Sequence, residues 1–485
     1  MKFYRKTKIL FLTGIFLGFF AIMLWRYSLL TSGRSLIPVP APAQNEADAH
    51  TKQILYFVPV AKFSSLKEEI SFAVLQKIMT QNDFTESRFQ KIYYSQENEP
   101  YLEKIFGHLA NTNTDLSLVD AKNLDVQTLS LVRFDELTPR FKVLTLDRMN
   151  ILDKKLDVNV WLLKWEGEAE NLVSLGSTNR DLKKIASLVM TGVTAVSRGV
   201  EYEIEQRNDS IFPARAVMDV LSQADLTHVS SENPFFDSCV PETEGLILCG
   251  RSSSLKSLKA IGADIVDLTG NHQNDYGSEL NLESLKHLEE LGLKYYGGGK
   301  NEKQARQILY QEVSGAKIAF LGYNYFDSQN GVDYRSLALG DRPGANFYSE
   351  EKLKEDIQTA KSLADFVIVD YQFIEQYSTD PLPIQIEVFR KTIDYGADLV
   401  VGVQSHQPQK IEIYQDKLIF YGLGNFFFDQ MWSLPTRQGL IPRLTFYDGK
   451  LTSVEVMTTL LYDYAQPRFT SGYDRISLLK EVLPK

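Results

Sequence analysis

The chain has 485 residues, 44% hydrophobic and 24% charged, an ordinary globular composition with room for more than one core. Its formal net charge is −10, and the six Lys and Arg before residue 35 have no acidic residue among them, so the remainder carries −16. Such acidity excludes nonspecific nucleic-acid binding as a leading reading, and a polyanionic ligand would need a local basic patch.

At the N-terminus Lys2, Arg5, Lys6 and Lys8 precede an uncharged apolar run, "ILFLTGIFLGFFAIMLW" at residues 9–25, and only Arg26 and Arg34 follow it closely. The run is at the short end for a membrane-spanning helix, Tyr27, Leu29 and Leu30 extend it, and Trp25 and Tyr27 suit an interfacial belt. The excess of cations before the run predicts a cytoplasmic N-terminus and an extracytoplasmic remainder at the cell membrane. A cleaved signal peptide ending near Ala43, in "APAQ", is the rival; that site lies far beyond the run, and the reading adopted is a single-pass anchor over residues 1–34. The segment 35–52, with "LIPVPAPAQNEADAHTK", has the composition of an extended tether.

Residues 53–180 alternate apolar runs, "ILYFVPVA", "LSLVRF" and "VNVWLLKW", with helical patterns such as "SSLKEEISFAVLQKIM". This predicts a smaller α/β domain for packing or interaction, faintly similar to lobes of periplasmic substrate-binding proteins, with no catalytic cluster. A regular rhythm occupies residues 181–465, before a tail at 466–485. The strand and loop "IASLVMTGVTAVSRG" is followed by a helix "PARAVMDVLSQA", a strand and loop "DLTHVSSENPFF", a helix "SLKSLKAIG" and the strand "DIVDLTG". Later "EEKLKEDIQTAKSLA" precedes the strand "DFVIVDYQ", and "IQIEVFRKTIDYG" precedes "ADLVVGVQSH". Apolar strands alternating with amphipathic helices predict a sheet covered on both faces, with ligands beyond the carboxyl ends of its strands. Between these elements Cys239 and Cys249, the two cysteines of the chain, flank "PETEG"; in an exported region they are expected to form a disulfide.

Glu232 follows the strand "DLTHVSS", Asn271 and His272 follow "DIVDLTG", the stretch from Tyr371 and Gln372 to Glu375 ends "DFVIVDYQ", and His406 follows "ADLVVGVQS". Carboxylate, amide oxygen and imidazole at one sheet edge would suit a divalent cation that polarises a phosphoryl oxygen or activates water. Asn-His after a strand is equally ordinary turn chemistry. Asp275 is placed either to accept a hydrogen bond from the imidazole of His272 or to cap the following helix. Asn425 and Asp429, in "YGLGNFFFDQ", are expected to be structural, "YYGGGKN" to be a turn, and His108, His228 and His287 not to be ligands.

At these residues the chain resembles the CapA-like poly-γ-glutamate capsule synthesis proteins, which share the calcineurin-like metallophosphoesterase fold. The carriers, over about residues 187–446, are "SSENPFF", "DLTGNHQNDYG", "LKYYGGGKNEKQA", "IAFLGYN", "DYGADLVVGVQSHQPQKIEIYQDKLIFYGLGNFFFDQ" and "MWSLPTRQGL". The resemblance implies Glu232, Asn271, His272 and His406 as metal ligands, and His272, Asp275, Glu375 and Arg198 as catalytic positions. It also marks three departures: Gly192-Val193 where the family has Gly-Asp, Tyr371 or Gln372 at a family histidine, and Gln404 at the first histidine of His-Pro-His. The cofactor expected is therefore one divalent metal (Mn, Fe, Zn or Mg) or none.

The resemblance implies work in the synthesis, export or retention of an anionic cell-surface polymer such as poly-γ-glutamate. The expected partners are that polymer, the membrane and other capsule-synthesis membrane proteins, and not nucleic acid. A metal-dependent phosphoesterase of the cell envelope and a non-catalytic polymer-binding or assembly protein are the alternatives.

Overall fold

The run "ILYFVPVA" forms the centre of a five-stranded sheet in a computed structural model that describes residues 52–110, 124–168, 177–329 and 334–485. The expected anchor, and the tether up to residue 51, lie outside the described residues. Among the described residues no helix is long and apolar enough to cross a membrane.

In that first sheet Gln53–Lys62 pairs antiparallel with Thr128–Arg133, Phe141–Val143 and Lys164–Gly167, and Lys91–Tyr94 lies parallel to Thr128–Arg133. Leu75 and Ile78 of helix Phe72–Gln81 and Leu102 of helix Glu99–Phe106 share its core with Phe57, Leu131 and Trp161. The first helix is shorter than its sequence pattern because Ser71 caps it, accepting a hydrogen bond from the amide of Val74, while Glu69–Ile70 pairs as a short strand. In "VNVWLLKW" only the end is strand, since Val158–Val160 is a single tight turn and Trp161 buries itself with its indole N–H 3.0 Å from the Phe57 carbonyl.

The chain then lays down four strands, β1 (Ile185–Thr194), β2 (Leu226–Ser231), β3 (Ile265–Asp267) and β4 (Lys294–Tyr296), each parallel to the next. Four more follow, β5 (Ala316–Asn324), β6 (Phe366–Gln376), β7 (Leu399–Ser405) and β8 (Lys417–Phe420), again parallel in that order. These two sets do not join. The hairpin β9 (Gln438–Tyr447) and β10 (Lys450–Tyr462) returns to β1, and Gln466–Phe469, in the expected tail, pairs antiparallel with β10 to complete a mixed seven-stranded sheet, while β5 to β8 belong to a separate six-stranded one.

The expectation of one sheet clad by helices on both faces is thus corrected to two sheets packed on each other. Ala186, Leu188 and Met190 of β1 meet Ile318 and Phe320 of β5, Ile368 of β6 and Val401 of β7 in one buried layer. On the outer side of the first sheet Val189, Val229 and Val266 pack with Val200 and Ile204 of helix α1 (Arg198–Arg207) and Leu285 and Leu288 of α2 (Ser278–Glu290). On the outer side of the second, Val367, Val369 and Tyr371 pack with Leu353 and Ile357 of α3 (Glu350–Leu363) and Val388 and Phe389 of α4 (Pro383–Asp394). A strand buried on both faces reads as continuously apolar whether its second face meets a helix or another sheet, so the sequence pattern alone does not separate the two cases. "PARAVMDVLSQA" is likewise not one helix but two turns, Phe212–Ala214 and Met218–Leu221.

The inter-sheet layer holds a fully buried polar group. Tyr296 donates to Asp370 Oδ2 over 2.6 Å, its oxygen lies 2.7 Å from His228 Nε2, and Asp267 accepts from the amide and hydroxyl of Thr269. Burial, and for Asp370 also the charge of Asp267, push both carboxyls well above their ordinary range, and burial holds the His228 imidazole down to about 3. A wide crevice of about 1010 Å³ lies elsewhere, lined by Lys142, Arg443 and Arg475, but Arg475 there is paired with Glu68 and Arg443 with Glu455.

Candidate functional site

The carboxyl ends of β2, β3, β6 and β7 bring Glu232, Asn271, Gln372 and Gln404 together, two strands from each sheet. Strand parity selects the residue on β6. Phe366 and Ile368 face the inter-sheet layer and Val367 and Val369 the helices, so Gln372 points between the sheets and Tyr371 points away from the site. Tyr371 is accordingly removed from the candidates: its hydroxyl lies 2.7 Å from Thr392 Oγ1 on α4 and its ring stacks on Phe389.

Gln404 enters against parity. Leu399 and Val401 place odd positions of β7 inward, but Gln404 has φ 80°, a left-handed backbone that a non-glycine residue adopts at a cost, and its side-chain oxygen meets the amide of Gln372. On the opposite side Gly270 lets the β3 loop touch the β2 loop, since a Cβ there would lie 2.5 Å from the Cα of Glu232.

The centre of the group is Gln372 Nε2. It donates to Glu232 Oε1 at 2.9 Å, to Asn271 Oδ1 at 2.8 Å and to Gln404 Oε1 in a short contact. Glu232, Gln372 and Gln404 are all buried. The oxygens that a cation would draw together therefore converge on an amide NH2. Val193 packs with Ala195, Leu248, Val403 and Phe428 and offers no ligand atom. As they stand, these residues do not fit a bound divalent cation.

His272 and His406 flank the group, each held through Nδ1. His272 Nδ1 lies 2.7 Å from Asp275 Oδ2, which also accepts from the amide of Leu248 at 2.8 Å. Gly277, not Asp275, occupies the N-cap position of α2. Burial pulls the His272 imidazole down, but the bond to Asp275 and the charges of Glu232 and Asp275 outweigh it, and its pKa is raised. His406 Nδ1 lies 2.9 Å from Asn425 Oδ1, and its ring packs beside Tyr377 and Phe428. In both rings Nε2 is the nitrogen left for a ligand.

Glu375 is not part of this group and is corrected. Beyond Gln372 the register of β6 against β7 shifts, and Glu375 turns to solvent, where it accepts from the hydroxyl of Tyr377 at 2.8 Å. Arg198 lies at the rim with φ 46°, donating to Asp429 Oδ1 at 2.5 Å and to the Gly245 carbonyl at 2.9 Å, with Phe428 beneath its guanidinium. It lines a cavity of about 420 Å³ with Tyr202, Thr243, Asp429, Trp432 and Tyr464. Gly245 belongs to the loop closed by the Cys239–Cys249 disulfide, S–S 2.02 Å.

Two roles were not read from the sequence. Asn425 fixes His406, and Gln372 organises the centre; the signal for Gln372 was Asp370 and Gln372 alternating with Val369, Tyr371 and Phe373 in the part of β6 that is mostly apolar. His287, set aside as a ligand, has Asp237 and Glu283 near it, and these three form the one set of His, Cys, Asp or Glu atoms within 4.8 Å of one another among the described residues. Asp237 is exposed there. Glu232, His272 and His406 form no such set.

The family described as bacterial capsule synthesis protein PGA_cap matches residues 187–430. The capsule biosynthesis protein CapA of Bacillus anthracis is 27% identical over 63% of this chain and 74% of its own length. The PGA biosynthesis protein CapA of Bacillus subtilis is 31% identical over 59% of this chain and 73% of its own. Among solved structures, the sulfate thiohydrolase SoxB of Thermus thermophilus is 9% identical over 61% of this chain and 59% of its own, with TM-score 0.34. The 5′-nucleotidase of Candida albicans is 12% identical over 60% of this chain and 57% of its own, also with TM-score 0.34.

Proposed function

Because the chain belongs to the bacterial capsule synthesis protein PGA_cap family, we propose that it is a membrane-anchored, extracytoplasmic protein acting in the synthesis, export or retention of an anionic capsule polymer. Poly-γ-glutamate is the polymer that the relatives' names suggest. The apolar run at residues 9–25, preceded by four cations, supports the anchor.

The observation that carries the reading of the site is the convergence of Glu232, Asn271 and Gln404 on the Gln372 amide. It favours a metal-depleted pocket that binds rather than hydrolyses. The adjoining cavity, walled by Tyr202, Trp432 and Tyr464, supplies apolar surface for a chain to lie against, and Arg198 supplies a guanidinium at its edge. The net negative charge of the chain means that an anionic polymer would be held at such a local feature and not by the field of the whole protein.

The test is deletion of the gene, with glutamate and sugars quantified in acid hydrolysates of cell-bound and shed polymer. Loss or redistribution of an anionic polymer, restored by the full chain, supports the proposal, and unchanged polymer in both fractions defeats it. In parallel, Mn²⁺-dependent cleavage of bis-(4-nitrophenyl) phosphate that disappears in a His272→Ala, His406→Ala double variant would favour the phosphoesterase alternative.

A further inference from the structure

We propose that the side-chain amide of Gln372 takes the place of the cation and makes this pocket a metal-independent, hydrogen-bonded centre. The proposal rests on the pocket being the family's site and not on which polymer the protein handles.

Three acceptor oxygens from three separate strand ends, Glu232 Oε1, Asn271 Oδ1 and Gln404 Oε1, all contact one nitrogen. Without a positive or proton-donating group between them they would repel one another in a buried site, so something must hold them. A divalent cation does this with charge; an NH2 group does it with two hydrogens shared among the three oxygens. The amide orientation follows from Glu232, whose carboxylate only accepts: reversing Gln372 would set its oxygen against that carboxylate. That orientation leaves Gln372 Oε1 buried without a partner in the structure, a cost consistent with the three donated contacts deciding the arrangement.

The exchange is more than the loss of one ligand. An imidazole at position 372 would offer a lone pair toward the shared point, whereas the amide offers hydrogens and fills it. The strained backbone at Gln404 serves the same centre, since it turns that side chain toward Gln372 against the alternation of β7. In this arrangement the pocket keeps its shape whether or not metal is present.

The isosteric change Gln372→Glu tests this, because it replaces the donating nitrogen with a fourth oxygen while keeping size. The full chain is purified in detergent, stripped with EDTA and titrated with MnCl2 by calorimetry and by thermal melting. His287→Gln is the background throughout, so that the group formed with Asp237 and Glu283 is disabled. The protein with Gln372 is expected to show no saturable Mn²⁺ binding and no change in Tm. Gln372→Glu is expected to melt lower in EDTA, to recover with Mn²⁺, and to bind one Mn²⁺ saturably at concentrations where the protein with Gln372 shows no binding. That gain should vanish in a Glu232→Gln, Gln372→Glu double variant. Should Gln372→Glu fail to fold even with Mn²⁺, Gln372→His provides the same readout. One-to-one Mn²⁺ binding by the protein with Gln372, abolished by Glu232→Gln, would overturn the proposal. So would a folded Gln372→Glu or Gln372→His that gains no Mn²⁺ affinity. Neither result would bear on polymer retention, so failure here and failure of the capsule assignment are separable.

Discussion

Asn425 holds His406 at two points: its Oδ1 lies 2.9 Å from the ring Nδ1, and its Nδ2 donates to the His406 carbonyl at 3.2 Å. The same Nδ2 reaches the Thr436 carbonyl at 2.9 Å, tying the loop after β7 to the segment that enters β9. Asn425→Ala removes all of these from a buried site and leaves the imidazole N–H unpaired. A loss of about 2–3 kcal/mol in urea denaturation is expected. In nitrogen NMR the His406 ring should lose its fixed tautomer, which a purely global destabilisation would not produce.

The buried pair Asp267 and Asp370 makes stability depend on pH. Burial raises both pKa values, Asp267 to about 7 against an ordinary carboxyl near 4, so the folded state holds protons that the unfolded chain releases. The stabilisation is full below about pH 4 and is lost as pH rises through about 7. Asp267→Asn removes one titrating partner and keeps a hydrogen-bonding side chain. The variant should therefore gain stability relative to wild type between pH 4.5 and pH 7.5, by about 1–4 kcal/mol. A constant difference across that range would refute the assignment.

The disulfide closes a loop with sequence separation 10, and the loop's last turn contributes the Leu248 amide that shares Asp275 with His272. A Cys239→Ser, Cys249→Ser double variant should lose about 3 kcal/mol, the loop-closure entropy for that length. Thiol labelling of the unreduced, unfolded wild type should yield no adduct; two adducts would contradict the bond.

Gly270 is required by contact and not by a special backbone angle. A Cβ at 2.5 Å from the Glu232 Cα forces the β2 and β3 loops apart. Gly270→Ala should cost about 1–3 kcal/mol. It should also break the Gln372 bridge between Glu232 and Asn271, visible as a shift of the Gln372 amide NH2 resonances.

The anchor is tested by a reporter fused after residue 50. Activity only outside the cytoplasm, with the chain in the membrane fraction, is the expected result. A shortened, soluble mature protein would replace the anchor with a cleaved signal peptide.

The alternation of apolar strands with amphipathic helices and the order of the strand ends were legible in the residues themselves. Glu232, Asn271 and His406 follow their strands in the sequence, because a strand and the loop after it are encoded by neighbouring residues. The tertiary structure decided what those ends meet. Strand periodicity is the same whether a strand's second face packs on a helix or on another sheet, so the division into two sheets appears only in the packing. Tyr371 and Gln372 are adjacent in sequence and opposite in parity, and only knowledge of which face is inward separates core from site. Gln404 breaks parity through one left-handed residue that no local pattern announces. The contact between Gln372 and Glu232 spans 140 residues and exists because two sheets end at one edge. Sequence supplied the individual polar groups; the meeting of three oxygens on one nitrogen is a property of the sheet-on-sheet packing that delivers them.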